Sequence, residues 1–281
     1  MDAFPPTAPE ASCPLALPLV VHAGGLVMIG DGADPTRIYE SPDGQSWRAY
    51  RHNTDWSTRY GASDASFHGA LWRIGGFVEA GGRRVLMNDV WRSMDGRRWE
   101  RLLPHAPWPP RVRAHLVSFR DTLWLIGGEP NDRVTWFTVD GLAWGSRPTP
   151  GLPELNPQGI VVFHERLWIL GHGTWDSATN DVWSSSDGAT WTRIAASAAW
   201  PARTGAGFGV LQDQIWVVGG ATRRDTWFAP DGARWSRGPD LPGPPRAADY
   251  SVVFQGGLWV FGGKTGGAGG TGFWDGVWYL K

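Results

Sequence analysis

A small set of side chains in this chain could do chemistry. Arg113 and His115 stand two apart, and Asp64 precedes Arg73 by nine residues. His172, Trp175 and Asp176 cluster in one short stretch, and Tyr250 lies near the C-terminus. A guanidinium recognises carboxylates and phosphates in a bidentate fork. An imidazole and a phenol could exchange protons with a bound substrate. Arg113, His115, Tyr250 and Asp64 together would suit a small-molecule isomerase, lyase or cyclase, although no nucleophile–base dyad is visible. Trp56, Trp108 and Trp200 recur in the pattern WxxR (WSTR, WPPR, WPAR) and could anchor a partner if exposed. His172 and Asp176, four apart in a loop, do not make a metal site. The single cysteine, Cys13, excludes an internal disulfide and a cysteine-rich metal centre. No metal and no cofactor is expected.

The elements that must position these residues come from a repeat. LVMIGD begins at Leu26, LWRIGG at Leu71, LWLIGG at Leu123, LWILGH at Leu167, IWVVGG at Ile215 and LWVFGG at Leu258. The steps are 45, 52, 44, 48 and 43 residues, so six units occupy essentially all 281 residues. One domain spanning 1–281 is expected, with any function on the array itself. Each unit reads as four short strands, a to d. Gly-Gly stops strand b, and Asp-Gly recurs at Asp43, Asp95, Asp140, Asp187 and Asp231, always four residues before a Trp. Asp-Gly between β-rich runs is a hairpin signal. Four antiparallel strands per unit at this period predict an all-β, six-bladed β-propeller. The chain ends on strand c of the sixth unit, so Ala3-Phe4-Pro5 is expected to close the last blade. Of 20 tryptophans, 15 fall at three repeat positions, where flat rings fill the gaps between sheets.

The Gly-Gly doublet, the later aromatic pair (Trp183 and Trp191) and the strand-a entry arginines Arg59, Arg111, Arg203 and Arg246 carry a resemblance. The chain resembles the kelch-repeat β-propeller family, of the six-bladed, bacterial galactose-oxidase-like type. Trp replaces the usual first Tyr of the pair, and Asp31 and His172 replace the second glycine in units 1 and 4. The resemblance implies either a protein-binding module or an enzyme. Some members bind ligand through an arginine matching Arg113. The copper chemistry of galactose oxidases is not expected, because Cys13 precedes the first strand and no ligand set accompanies it.

In a propeller, the d–a and b–c loops share one face with the channel mouth. Residues there that break the repeat are the site candidates. Counting from the hexapeptide, the residue seven before its first position should pair with the one two after it. That gives Leu19–Met28, Leu116–Leu125, Ile160–Ile169, Phe208–Val217 and Ser251–Val260, but Asp64–Arg73 in unit 2 alone. Such a pair is either a structural salt bridge or a charged channel lining. The entry arginines are expected to bond loop carbonyls or Asp89, Asp181 and Asp225. The b–c loops vary most: FVEAGGRRVLMN in unit 2, HGTWDSATN in unit 4 and KTGGAGGTGFWD in unit 6, which is not a phosphate-binding loop. The expected contact set is therefore Arg113, His115, Tyr250, Asp64, Arg73, His172, Trp175, Trp56, Trp108 and Trp200. The partner would be a protein or a small anionic ligand at the channel mouth.

A net charge of −1 argues against nucleic-acid binding. No apolar run reaches the length of a membrane helix. LALPLVV (15–21) lacks basic residues before it and reads as a strand, not a secretion signal, so a cytoplasmic protein is expected.

Overall fold

The computed structural model describes residues 19–30, 37–53, 56, 59–130, 133–153, 156–174, 177–220, 223–243, 250–261, 264–265, 272–273 and 277–281. The segment expected to close the last blade, and Arg246, Trp175, Asp176 and Trp274, lie outside these residues. Among the described residues there is no helix, and so none long and apolar enough to cross a membrane.

Contacts group the chain into two compact units. Leu17–Asn156 forms one, and the other is built on Pro157–Lys281. The first holds three four-stranded antiparallel sheets and one small sheet. Sheet 1 is β1 (Leu19–His22), β2 (Gly25–Ile29), β3 (Arg37–Ser41) and β4 (Arg48–Arg51). In unit 2 of the repeat the strands run β5 (Arg59–Tyr60), β6 (Ser63–Phe67), β7 (Ala70–Ile74), β8 (Phe77–Ala80), β9 (Arg83–Leu86), β10 (Val90–Ser93) and β11 (Trp99–Leu103). Sheet 2 is β6-β7-β10-β11, while β5-β8-β9 form a separate small sheet. Sheet 3 is β12 (His115–Phe119), β13 (Thr122–Ile126), β14 (Val134–Thr138) and β15 (Gly145–Pro148).

The second unit repeats the plan. Sheet 4 is β16 (Ile160–Phe163), β17 (Arg166–Leu170), β18 (Val182–Ser185) and β19 (Thr192–Ala195). Sheet 5 is β20 (Gly207–Leu211), β21 (Gln214–Val218), β22 (Thr226–Ala229) and β23 (Ser236–Arg237). Sheet 6 shows three described strands, β24 (Tyr250–Phe254), β25 (Gly257–Phe261) and β28 (Val277–Leu280). Its b–c connection carries the short pair β26 (Lys264–Thr265) and β27 (Gly272–Phe273).

The a–b register matches the counting rule in all six sheets, from Leu19↔Met28 to Ser251↔Val260, with Asp64 opposite Arg73. The a–b turns are two residues long with both φ positive, as at Arg120 (48°) and Asp121 (57°). That backbone matches the twist of the strands it joins. The Asp-Gly turns differ from the expected tight hairpin. They are wider loops in which only the glycine is left-handed, and the aspartate is a cap. Asp187 Oδ1 accepts the N–H groups of Ala189 (2.9 Å) and Thr190 (2.7 Å). The same pair of bonds recurs at Asp43, Asp95, Asp140 and Asp231.

These bonds hold the carboxylates acidic. At Asp95, Asp140 and Asp231 the largest cause is the N–H of Arg98, Ala143 or Arg234 on the charged form. At Asp43 and Asp187 partial desolvation pushes upward but the hydrogen bonds outweigh it, and Asp187 falls to about 2. A depressed folded pKa gives stability that is complete above the unfolded value and lost as pH falls through the folded one. Melting temperature is therefore expected to fall between about pH 4 and pH 2. Asp187→Asn should shallow that acid limb while leaving its steepest part in place. An acid limb identical in wild type and variant would remove Asp187 from the explanation.

The core lies between neighbouring sheets within each unit. Trp72, Ile74, Trp108, Leu123 and Leu125 pack between sheets 2 and 3, and Trp168, Leu170, Trp200, Ile215 and Val217 between sheets 4 and 5. Each strand-b indole donates its N–H to the last carbonyl of strand a, as Trp168 does to Phe163 O at 2.9 Å, so a large ring is buried with its polar atom satisfied. The ring then covers the next sheet's Asp-Gly turn. A Cβ on Gly232 would stand 2.2 Å from Trp168, and one on Gly141 2.1 Å from Trp72. Glycine is needed there for close approach as well as for its φ.

Candidate functional site

The d–a and b–c connections are knitted together by backbone bonds. Gly76 N–H donates to Arg111 O (2.9 Å), Arg111 N–H to Met87 O (3.0 Å), and Val112 and Glu129 exchange a pair of bonds. The entry arginines anchor this weave. Buried Arg59 grips Asp89 with both Nη atoms (2.8 and 2.7 Å) and donates to Gly75 O (3.0 Å). Trp91 Nε1 donates to the same carboxylate at 2.7 Å. Arg203, Asp225, Gly219 O and Trp227 repeat the arrangement in sheet 5. Arg111 bonds Gly127 O (3.0 Å) and Pro109 O (3.3 Å). The structural role expected for Arg59, Arg111 and Arg203 is what the geometry shows.

Unit 4 has Leu155 where units 2, 3, 5 and 6 have the arginine. His172 replaces it from the opposite side of the weave. Its Nδ1–H donates to Asp181 Oδ1 at 2.8 Å, and Trp183 and Thr179 also donate to that carboxylate. Desolvation pushes the Asp181 pKa up, but the bonds from His172, Thr179 and Trp183 outweigh it and the carboxyl stays acidic. The loss of the entry arginine and the exchange of the second glycine for histidine are thus one compensated change. His172 is a structural donor here, and not the freely presented ligand contact expected from its loop. Among the described residues no His/Cys/Asp/Glu cluster could hold a metal ion.

The three loop tryptophans are not exposed anchors. Trp56, Trp108 and Trp200 are buried. Trp56 meets Trp91 and Trp99, with centroids 5.4 and 5.0 Å apart. Trp108 meets Trp136 and Trp144, and Trp200 meets Trp235. Each ring plugs the loop that delivers the chain onto the next sheet, because the aromatic pair of that sheet offers it an apolar seat. The loop is held down by an asparagine from the recurring NDVW, a signal not recognised in the sequence. Asn88 Nδ2 donates to Ala106 O and Trp108 O, and Asn180 Nδ2 to Ala198 O and Trp200 O.

Asp64 and Arg73 are also removed from the contact set. Both side chains are fully buried, with Arg73 Nε 3.7 Å from Asp64 Oδ1. Arg73 Nη1 donates to Gly30 O (2.9 Å), and its guanidinium lies 5.1 Å from the Trp56 ring centroid. A sealed ion pair cannot take a proton from a substrate, so Asp64 leaves the expected catalytic set.

What remains accessible is led by Arg113. Its side chain is 73% exposed, with Nη1 3.6 Å from Glu129 Oε1. Its φ is +60°, matching Gly61 and Gly205 (both +62°) at the same place in units 2 and 5. An L-residue held left-handed is strained by about 1–2 kcal/mol. His115, half-buried, begins β12 two residues on; Tyr250, also half-buried, begins β24 in the other unit. A feature missed in the sequence adjoins Arg113: its N–H donates to Gly61 O (3.0 Å), and Gly61 follows Tyr60 of the small sheet. There Tyr60 stacks on Phe77 (5.3 Å, 23°) and the Arg84 guanidinium lies 4.5 Å from the Phe77 centroid. Alternation on either side of Gly81-Gly82 was the available signal.

This is the fold of a β-propeller: all-β, built from antiparallel meander sheets. Among the solved chains it matches is one titled "Structure of YjhT", with a TM-score of 0.77 over 95% of this chain and 98% of that one, at 15% sequence identity. No protein-family model and no curated protein matches the sequence.

Proposed function

We propose that the chain is a six-bladed propeller of kelch type that binds an anionic ligand, or an acidic group of a protein partner, through Arg113 with His115 beside it. The observation that carries this reading is the strained, exposed arginine at a position filled by glycine in units 2 and 5. Backbone strain persists where something besides stability favours it. A guanidinium at such a place serves recognition of a carboxylate or phosphate.

The test separates stability from binding. Arg113→Gly relieves the left-handed strain but frees the unfolded chain, so it should hold or raise stability within about 1 kcal/mol. Binding of citrate, a polyglutamate peptide or inorganic phosphate should weaken by tenfold or more, measured by calorimetry on both proteins. A charge-assisted hydrogen bond is worth about 1.5–3 kcal/mol. Equal affinity in wild type, Arg113→Gly and Arg113→Glu for every anion bound would end the proposal.

A further inference from the structure

The connection between β7 and β10 is an arm. Only residues 127–133 and 219–225 separate strand b from strand c in sheets 3 and 5, whereas sheet 2 inserts the hairpin β8–β9. The small sheet has the order β5-β8-β9, so β9 is its outer edge. Arg83, Arg84 and Val85 on it are exposed, Val85 by 44%.

The turn sets which backbone groups that edge offers. Gly81 (φ +57°) and Gly82 (φ +72°) make a two-residue turn closed by Ala80 and Arg83. A turn of this length makes its flanking residues a hydrogen-bonded pair. Alternation then makes Val78/Val85 bonded and leaves Glu79/Arg84 and Phe77/Leu86 non-bonded. The Met87 N–H to Gly76 O bond (2.8 Å) continues the same alternation. The N–H and C=O of Arg84 and Leu86 therefore point away from the ladder. Among the described residues neither amide nor carbonyl has a backbone partner on that side.

We infer that β9 accepts an extended acidic segment of a partner protein as a fourth strand. The charge on the edge selects the occupant. In antiparallel pairing with a second copy, the register centred on Arg84 sets like charges opposite each other, which is destabilising, and the register centred on Val85 sets the arginines beside Leu86 and Met87, where neither finds a counter-charge. The same arginines favour an acidic strand. Side chains of adjacent strands share a face with their direct neighbours, which fixes the motif. An antiparallel segment places an apolar residue beside Val85, then acidic residues beside Arg84 and Arg83. The four outward groups on Arg84 and Leu86 supply the main-chain bonds, and the side chains supply the choice of sequence. The inference stands on the arm alone and not on ligand binding at Arg113.

The probe is the labelled peptide Thr-Thr-Val-Glu-Glu-Thr, with Thr-Thr-Val-Lys-Lys-Thr as its counterpart. Binding is read by fluorescence anisotropy, and amide exchange of the arm by NMR. The acidic peptide should bind at least tenfold more tightly and slow exchange at Arg84 and Leu86 by fivefold or more. Arg84→Glu, which keeps the amide, should cancel the preference between the peptides, and the double variant Arg83→Glu/Arg84→Glu should reverse it. Arg84→Pro removes an N–H that the hairpin itself does not use and should abolish binding of both. Amide protection at Arg84 and Leu86 reports on the arm alone, which separates failure here from failure of the anion site. Three results would overturn the inference: equal affinity for the two peptides, acidic-peptide binding without protection at Arg84 and Leu86, or concentration-dependent protection without peptide, which would mark a second copy as the occupant.

Discussion

Asp89→Ala is expected to destabilise the chain by about 3–5 kcal/mol, because it leaves the buried Arg59 guanidinium without its counter-charge. Both members of the pair are sealed from water and joined by two short bonds, and the same carboxylate accepts Trp91 Nε1. Removing one partner leaves the other's desolvation uncompensated, which costs more than the pair itself contributes. Asp181→Ala is the internal comparison. Its partner is a partly exposed imidazole and not a sealed guanidinium, so the loss is that of hydrogen bonds and should be about 1–3 kcal/mol. Urea denaturation of both variants at pH 7 checks the difference. If Asp181→Ala cost as much as Asp89→Ala, the view of His172 as a hydrogen-bonding stand-in for the missing arginine would be wrong.

Trp200→Ala should cost a similar 3–5 kcal/mol, since it empties a large site between sheets 4 and 5 that includes Trp235. Trp200→Phe should cost much less. Trp200 Nε1 has no hydrogen-bond partner among the described residues, so the smaller ring loses volume but no bond. The functional consequence is as informative as the stability. A loop tryptophan that contacted a partner would lose binding on substitution at any temperature. A buried plug loses binding only as the protein unfolds. Titration of the Trp200→Phe variant with an anion that wild type binds, well below its melting point, should give the wild-type affinity.

Local chemistry made much of the fold legible. The hexapeptide spacing and the two-residue alternation set the a–b register, and every counted pair, Asp64 with Arg73 included, is the pair observed. The Asp-Gly positions were readable as turns, but not their width. That depends on the aspartate reaching two amides ahead and on a neighbouring tryptophan filling the glycine's missing side chain. The hairpin arm has the sequence of a variable loop, although its paired glycines and flanking alternation form a signal of their own.

The candidate site was less legible, and particular residues show why. Trp56, Trp108 and Trp200 have the sequence of rim residues and the burial of core residues, because their seats are built by strands of the following sheet. His172 has the sequence of a loop histidine, but Asp181, nine residues away, receives it in place of an arginine absent from position 155. Asp64 and Arg73 were paired correctly, but their sealing by Trp56 and Gly30 comes from the preceding repeat. By itself the sequence determined strand period, register, turn positions and the all-β class, since each rests on preferences acting over a few residues. Tertiary structure decided which charged and aromatic side chains reach solvent, because burial is set by contacts between repeats roughly forty-five residues apart. It left Arg113 exposed and strained, and left a basic strand edge open on the small sheet.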